Sequence, residues 1–441
     1  MASISGTAPP GAIETREEDA VRRNAYSRVS WRLLPFLFFC FFAAYLDRVN
    51  VGFAKLQMAN ELGLSEYVYG LGAGIFFIGY AAFEVPSNLI MHRVGARLWI
   101  ARIMITWGIV SALFAFAQTP MHFYVLRFLL GVAEAGFAPG VLLYVTYWFP
   151  AARRARALSI FFIAIPISGV LGAPLSGWIM DAFHGASGWG GWRWLFLIEA
   201  VPALIAGVLT FWMLPNRPDE VTWLDPREKA AIAEDLAADD AGKAAHLSVK
   251  QFLADKRLWL LCVLYFTIVM GQYAISFWLP TIVKEAGIDD PLQNGIITSL
   301  PFIATVIAML ALARSADKRQ ERRVHLMLPM AVGAIALALA PSAQGNLPLS
   351  ILLLSFAAAG LLSQTAMFWS IPPAFLGGVW AAAGIGAINA IGNIAGFVSP
   401  FVIGWIVDVT KSLPAGLYTI TAIEIVGVLL VLLIPARQVN R

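Results

Sequence analysis

The sequence predicts an all-α membrane protein whose twelve spanning helices form two pseudo-symmetric six-helix bundles, and three observations predict it. Of its 441 residues, 59% are hydrophobic and 13% charged, with a mean hydropathy of +0.73; a soluble domain carries about 25% charged residues. The apolar residues gather into twelve runs, each close to the ~20 residues that a hydrocarbon core of ~30 Å requires. A motif closing the fifth run, Ser176-Gly-Trp-Ile-Met-Asp181, returns as Ile403-Gly-Trp-Ile-Val-Asp408 at the close of the eleventh.

Residues 1–30 carry both signs of charge and no apolar core, so they read as a cytoplasmic tail, not a cleavable signal peptide. Runs at about 31–53, 67–91, 98–117, 123–149, 158–180 and 192–214 make an N-terminal bundle over 31–214. A polar connecting loop, 215–256, follows. In it Asp225-Pro-Arg-Glu228 has the cap, the first-turn proline and the returning carboxylate of a capping box, so a short helix should run to about Ala238. Its apolar positions Ala230, Ile232 and Leu236 also suit a membrane-surface helix, but a connector is the preferred reading. Runs at about 258–283, 295–313, 324–340, 349–369, 376–407 and 417–434 make a C-terminal bundle over 257–434, and 435–441 form a second tail. The eleventh run is long enough to hide a break.

Of the 31 Lys and Arg, 25 fall on one side of the bilayer, four (Lys55, Arg193, Lys284, Lys411) on the other, and Arg48 and Arg127 within helices. The positive-inside rule then places both termini in the cytoplasm of a bacterial inner membrane. The same placement removes the nucleic-acid reading of the +4 net charge, because the basic residues line short loops. Cys40 and Cys262 lie in apolar runs and support neither a disulfide framework nor a metal site. The motif repeat spans 227 residues, and Glu199 and Glu424 keep nearly the same register. Parallel repeats of this kind imply a secondary transporter with its substrate near the midplane.

Charges inside apolar helices are the informative positions, since each costs about 2.5–3.5 kcal/mol at the bilayer centre unless it meets a partner or water. Asp47 and Arg48 lie in the first run; Arg127 and Glu134 lie in the fourth, seven residues and so about two turns apart, with Gly131 between them. The expectation is that all four converge. Mutual pairing that merely holds helices together is the plainer alternative. In the functional reading Arg48 and Arg127 grip a carboxylate through the guanidinium fork, while Asp47 and Glu134 take up the coupling protons and release an arginine when neutral.

These residues lie in runs that resemble the anion:cation symporter family of the major facilitator superfamily. The resemblance rests on Tyr45-Leu-Asp-Arg-Val-Asn-Val-Gly-Phe-Ala54, Phe83-Glu-Val-Pro-Ser-Asn88, Arg127-Phe-Leu-Leu-Gly-Val-Ala-Glu-Ala135 and Gly191-Trp-Arg-Trp-Leu-Phe-Leu-Ile-Glu199, and in the second half on Phe277-Trp-Leu-Pro280 and Gly392-Asn-Ile-Ala-Gly-Phe397. It covers about 28–434 and is strongest to bacterial tartrate-type permeases, with sugar-acid and aromatic-acid permeases near behind. It implies the major facilitator fold, proton-coupled uptake of small organic anions, and functional pairs at Asp47–Arg48 and Arg127–Glu134. The loop after the second run departs from the superfamily pattern: His92 stands where an Asp latch is usual, while the second copy keeps Asp317. Gating is therefore assigned to Arg93, Arg97 and Asp317, with His92 read as a solvated loop residue.

Tyr45, Tyr80, Gln272, Tyr273, Asn389 and Asn393 are candidates to bond substrate hydroxyls, interhelical bridging being the alternative. The resemblance favours Tyr80 and Asn393 among them. Glu84, Glu199 and Glu424 read as structural residues near helix ends or the outer edge, and Gly169, Gly172, Gly177 and Pro174 as scaffold. No phosphate loop and no HExxH or clustered Cys/His pattern occurs, so neither an ATP-driven pump nor an enzyme is expected, and no cofactor. The reading is thus a monomeric, proton-coupled importer of carboxylate anions, tartrate-like hydroxy-dicarboxylates first. A non-transporting anion receptor is the alternative from another class, and it lacks an output domain.

Overall fold

The computed structural model describes residues 10–150, 153–154, 157–158, 161, 163–241, 253–343, 345–372, 376 and 378–440. The first half contains α1 (Pro10–Leu62), α2 (Glu66–Val94), α3 (Ala96–Leu113), α4 (Pro120–Glu134), α5 (Phe137–Thr146), α6 (Ala164–Ala182) and α7 (Gly191–Met213). α8 (Pro226–Ala241) lies in the connecting loop. The second half contains α9 (Lys256–Glu285), α10 (Pro291–Arg319), α11 (Arg323–Leu339), α12 (Leu347–Phe368), α13 (Gly378–Thr410) and α14 (Leu413–Leu432), closed by α15 (Ala436–Val439). Among the described residues eleven helices are long and apolar enough to cross a bilayer, α4 and α5 counting as one; α6, with 19 residues, occupies the place of the fifth run.

Local chemistry sets where the spans begin. Thr119, Asp290, Asn346 and Ser412 each accept a backbone N–H of the helix they precede, and a proline follows in its first turn. Proline is tolerated there because that N–H has no helical partner. These four starts all lie at the end of the molecule opposite the two termini. At the terminal end α1 begins far before the membrane run and docks on α8: Arg22 pairs with Glu234, Tyr26 donates to Asp235 and Arg28 pairs with Glu228. The capping box forms as read, with Asp225 accepting from the Glu228 N–H at 2.9 Å and Glu228 from the Asp225 N–H at 3.1 Å. Ile232 is fully buried, which makes α8 a packed connector. α13 is continuous over Gly378–Thr410, so the eleventh span has no break among its described residues; the fourth has one instead, between α4 and α5.

The two halves pack alike. α3 lies on α7 as α11 lies on α14, and α1 on α6 as α9 lies on α13. The bundles meet along two seams that are images of each other, α2 with α13 and α6 with α10. Glycine allows the close approach: a Cβ on Gly177 would fall 2.3 Å from the Pro291 carbonyl oxygen, and one on Gly70 2.3 Å from that of Pro400. Gly177 and Gly404 occupy the same position in the repeated motif, so the repeat marks the seam. Both seams lie near the end opposite the termini. Toward the terminal end they part. Residues 81–86 of α2 are all exposed or half-buried, six in a row, whereas a helix packed on one side buries residues every three or four positions.

Candidate functional site

Arg48 of α1 ends in the middle of the molecule, about 20 Å from the seamed end by helical rise, and between the two bundles. Its guanidinium forms an ion pair with Glu134 and donates to the Tyr273 hydroxyl of α9 at 3.4 Å. Aromatic rings enclose it, with centroids at 5.0 Å for Tyr45, 5.3 Å for Phe76 and 5.7 Å for Tyr80. Arg48 and Glu134 are 9% and 2% exposed, so this pair is shielded from bulk water. The Arg48 Nε has no partner among the described residues. Five of the candidates from sequence, Arg48, Glu134, Tyr45, Tyr80 and Tyr273, thus share one site.

The backbone break explains where Glu134 stands. It is the last residue of α4; Ala135 is extended and Gly136 left-handed at φ 85°. Pro139 has no N–H to return to the Ala135 carbonyl, and glycine tolerates the positive φ, so the local sequence Ala135-Gly-Phe-Ala-Pro139 ends one helix and starts another. The carboxylate sits at the hinge.

The expected convergence of four charges is partial: Arg127 shares the Phe76 ring with Arg48, and Asp47 stands apart. Asp47 turns away from Arg48 because adjacent helical residues point about 100° apart. Its oxygens accept from the Trp107 indole at 2.5 Å and the Ser111 hydroxyl at 2.7 Å on α3, and from Asn50 at 3.3 Å. Asp47 therefore lies inside the first bundle, away from both arginines. Arg127 is buried nearer the seam. It donates to the carbonyls of Gly72 at 3.3 Å and Ala73 at 2.9 Å on α2, and the Phe76 and Phe277 rings flank it at 5.0 and 6.0 Å.

The three glutamates read as peripheral sit elsewhere than expected. Glu199 is 1% exposed and accepts from Ser176 at 2.6 Å; Glu424 is wholly buried and accepts from Gln364 at 3.1 Å. Each lies within its own bundle. Glu84 instead reaches across the gap, accepting from Asn389 at 3.0 Å and Asn393 at 2.9 Å on α13. Those two asparagines are thereby held by a carboxylate of the other bundle. Gln272 accepts from Thr365 at 3.1 Å within the second bundle. The partners Asn50, Trp107 and Ser111 had no signal in the sequence, since each is an ordinary residue on an apolar helix.

The residues assigned to gating do not meet. Arg97 donates to the Leu214 carbonyl at 3.0 Å and lies 3.7 Å from Glu220, so it ties its loop to the end of its own bundle. Arg93, His92 and Asp317 are exposed, and Arg93 and Asp317 make no ion pair among the described residues. Their separation follows from the parting of the bundles at that end. At the seamed end the bundles are tied instead: Lys55 pairs with Glu66 at 2.5 Å, donates to Thr281 at 3.3 Å and lies 3.9 Å from the Trp278 ring centroid. The Tyr69 hydroxyl donates to the Phe277 carbonyl at 3.2 Å, and Asp408 accepts the Tyr67 N–H at 2.9 Å.

Comparison with known proteins agrees with this architecture. The family described as Major Facilitator Superfamily matches residues 37–400. The chain is 47% identical to a protein of Pseudomonas putida named "Putative metabolite transport protein NicT", over 94% of this chain and 95% of that one. It is also 47% identical to an Agrobacterium vitis protein named "Putative tartrate transporter", over 92% and 94% of the two chains. Among solved structures, a bacterial homologue of the human lysosomal transporter Spinster superposes with a TM-score of 0.72 at 14% identity, covering 92% of this chain and 96% of that one, a likeness of fold alone.

Proposed function

Because the chain belongs to the major facilitator superfamily, a family of transporters and not of enzymes, we propose that it imports small organic carboxylate anions with protons, by alternating access. The observation that carries this reading is the buried Arg48–Glu134 pair, completed by Tyr273 from the opposite bundle. A guanidinium is the natural partner of a carboxylate, and here it is already held by one. A proton on Glu134 weakens that pair and frees Arg48 for the substrate; loss of the proton restores the competitor. Proton and anion binding are then linked through a single side chain.

Glu134 is the coupling residue in this scheme. Asp47, bonded into α3, keeps α1 in register and acts on the site through its neighbour Arg48. Arg127 holds α2 against α4 above the site and adds positive potential to it. Tyr45, Tyr80 and Tyr273 surround the Arg48 guanidinium, and Gln272 joins Thr365 on α12. The positive-inside count supports both termini in the cytoplasm of the inner membrane, so the end at which the bundles part faces the cytoplasm and the Lys55 cluster closes the outside. Arg93, Arg97 and Asp317 would close the inner end when the bundles rock. One chain suffices for this cycle, and a monomer is the proposed unit.

The named relatives favour hydroxy-acids of the tartrate kind, with sugar acids and aromatic acids as alternatives. Uptake by proteoliposomes under an imposed pH gradient, offered a panel of these acids, tests the proposal. Accumulation of at least one acid that depends on the gradient is expected. Uptake indifferent to the gradient would leave a uniporter, and failure to bind any carboxylate would remove the anion reading.

A further inference from the structure

We propose that Glu84 is a charge filter that lets the site between the bundles take a carboxylate at one end only, so that the preferred substrate is a hydroxylated monocarboxylate. This narrowing rests on the anion reading above. Glu84 lies four residues, about 6 Å, along α2 from Tyr80, whose ring is 5.7 Å from the Arg48 guanidinium carbon. A four- to six-carbon acid with its carboxylate on Arg48 therefore extends its far end to Glu84.

What that end offers is read from its hydrogen bonds. One Glu84 oxygen accepts the Asn389 amide N–H and the other accepts that of Asn393. Donors on both oxygens favour the ionised form of the carboxyl over the protonated one. The two asparagines spend donors on it, and their own carbonyl oxygens accept no bond among the described residues. The far end thus presents acceptors, one of them charged. A hydroxyl brings the donor that such a surface requires. A second carboxylate brings none and meets like charge, a combination that rejects a ligand more strongly than a missing contact does. Arg127 does not rescue a dicarboxylate, because it lies toward the opposite end of the site with its guanidinium already on the Gly72 and Ala73 carbonyls. A charged acceptor at that end would favour a hydroxy-monocarboxylate over the hydroxy-dicarboxylate expected from the sequence.

Two substrate pairs isolate the effect, threonate against tartrate and gluconate against glucarate. In each the only change is a terminal CH2OH replaced by a carboxylate. Competition for uptake into proteoliposomes at pH 7 should show the monocarboxylate preferred at least tenfold by the unchanged protein. Glu84→Gln keeps a hydrogen-bonding partner for the asparagines without the charge, and Glu84→Ala removes both. In each variant the preference should fall at least tenfold. The ratio is taken within one protein sample, so lower expression or partial misfolding cancels. Equal recognition of both members by the unchanged protein, or an undiminished preference in both variants, would overturn the filter. If the unchanged protein recognises none of the four acids but takes up another carboxylate, the filter fails and the anion reading stands; if it binds no carboxylate at all, both fall.

Discussion

Arg48 on α1 and Glu134 at the last residue of α4 pair between the two bundles, one on a continuous helix and the other on a hinge. Rearrangement at Gly136 therefore moves the carboxylate relative to the arginine, and the pair is the part of the site best placed to report both protonation and bundle movement.

Neutralising the carboxylate should separate transport from its driving force. Glu134→Gln is expected to retain exchange of labelled anion across the membrane and to lose accumulation against a gradient. Gradient-driven accumulation surviving in this variant would take Glu134 out of the coupling.

Asp47 should matter first for stability. Asp47→Ala leaves the Trp107 indole and the Ser111 hydroxyl without their acceptor in a buried setting, and each such orphan costs about 1–3 kcal/mol. The detergent-solubilised variant should melt several degrees below the unchanged protein, while Asp47→Asn, which still accepts, should lose less. Equal melting of all three would show that these bonds contribute nothing.

The hinge needs its glycine. Gly136 has φ 85° and a Cβ there would meet the Ser87 hydroxyl; a left-handed non-glycine residue costs about 1–2 kcal/mol. Gly136→Ala should lower the transport rate more than tenfold with a smaller effect on binding, as compared by uptake and by equilibrium binding of the same acid. A fully active variant would show that the hinge tolerates a side chain.

Lys55 should hold the seamed end shut. Lys55→Met removes its bond to Thr281 and its charge over Trp278. A cysteine placed at Ser276, deeper along α9, should then react severalfold faster with a membrane-impermeant maleimide added outside. Unchanged labelling would mean that the glycine seams alone close this end.

One pH effect lies outside the membrane. Partial burial pushes Glu321 up, but the backbone N–H groups of Val324 and His325, with the His325 and Asn440 side chains, outweigh it and hold the carboxyl below its ordinary range. A depressed value in the fold means that its stabilisation is complete above the ordinary carboxylate range and is lost as the pH falls through the lowered value. Melting temperature should therefore drop less between pH 7 and pH 4 in Glu321→Gln than in the unchanged protein. The group is half-buried and borders solvent, so the difference should be small, below about 1 kcal/mol. Identical pH profiles would sink the assignment.

Much of this was legible before any coordinates. Hydropathy runs gave the spans, the Asp225 box gave α8, and the motif repeat pointed to the related halves and held the seam glycines. The Arg48 site was half legible: an ionisable residue in an apolar helix draws attention, yet whom it meets depends on helix rotation. The break after Glu134 was present in Gly136 and Pro139 but was read as an uninterrupted run. The asparagine partners of Glu84 were not legible, because position along a helix says nothing about which neighbour that face meets.

What the sequence alone determined is therefore one-dimensional: how many helices cross, where each begins, and which of them carry charge, because solvation by lipid is paid residue by residue along the chain. Tertiary structure alone decided the pairings. Asp47 and Arg48 are neighbours in the chain, yet the helical turn of about 100° sends one into α3 and the other into the cavity. Glu84 and Asn393 are 309 positions apart and share a hydrogen bond, because the two bundles face each other there.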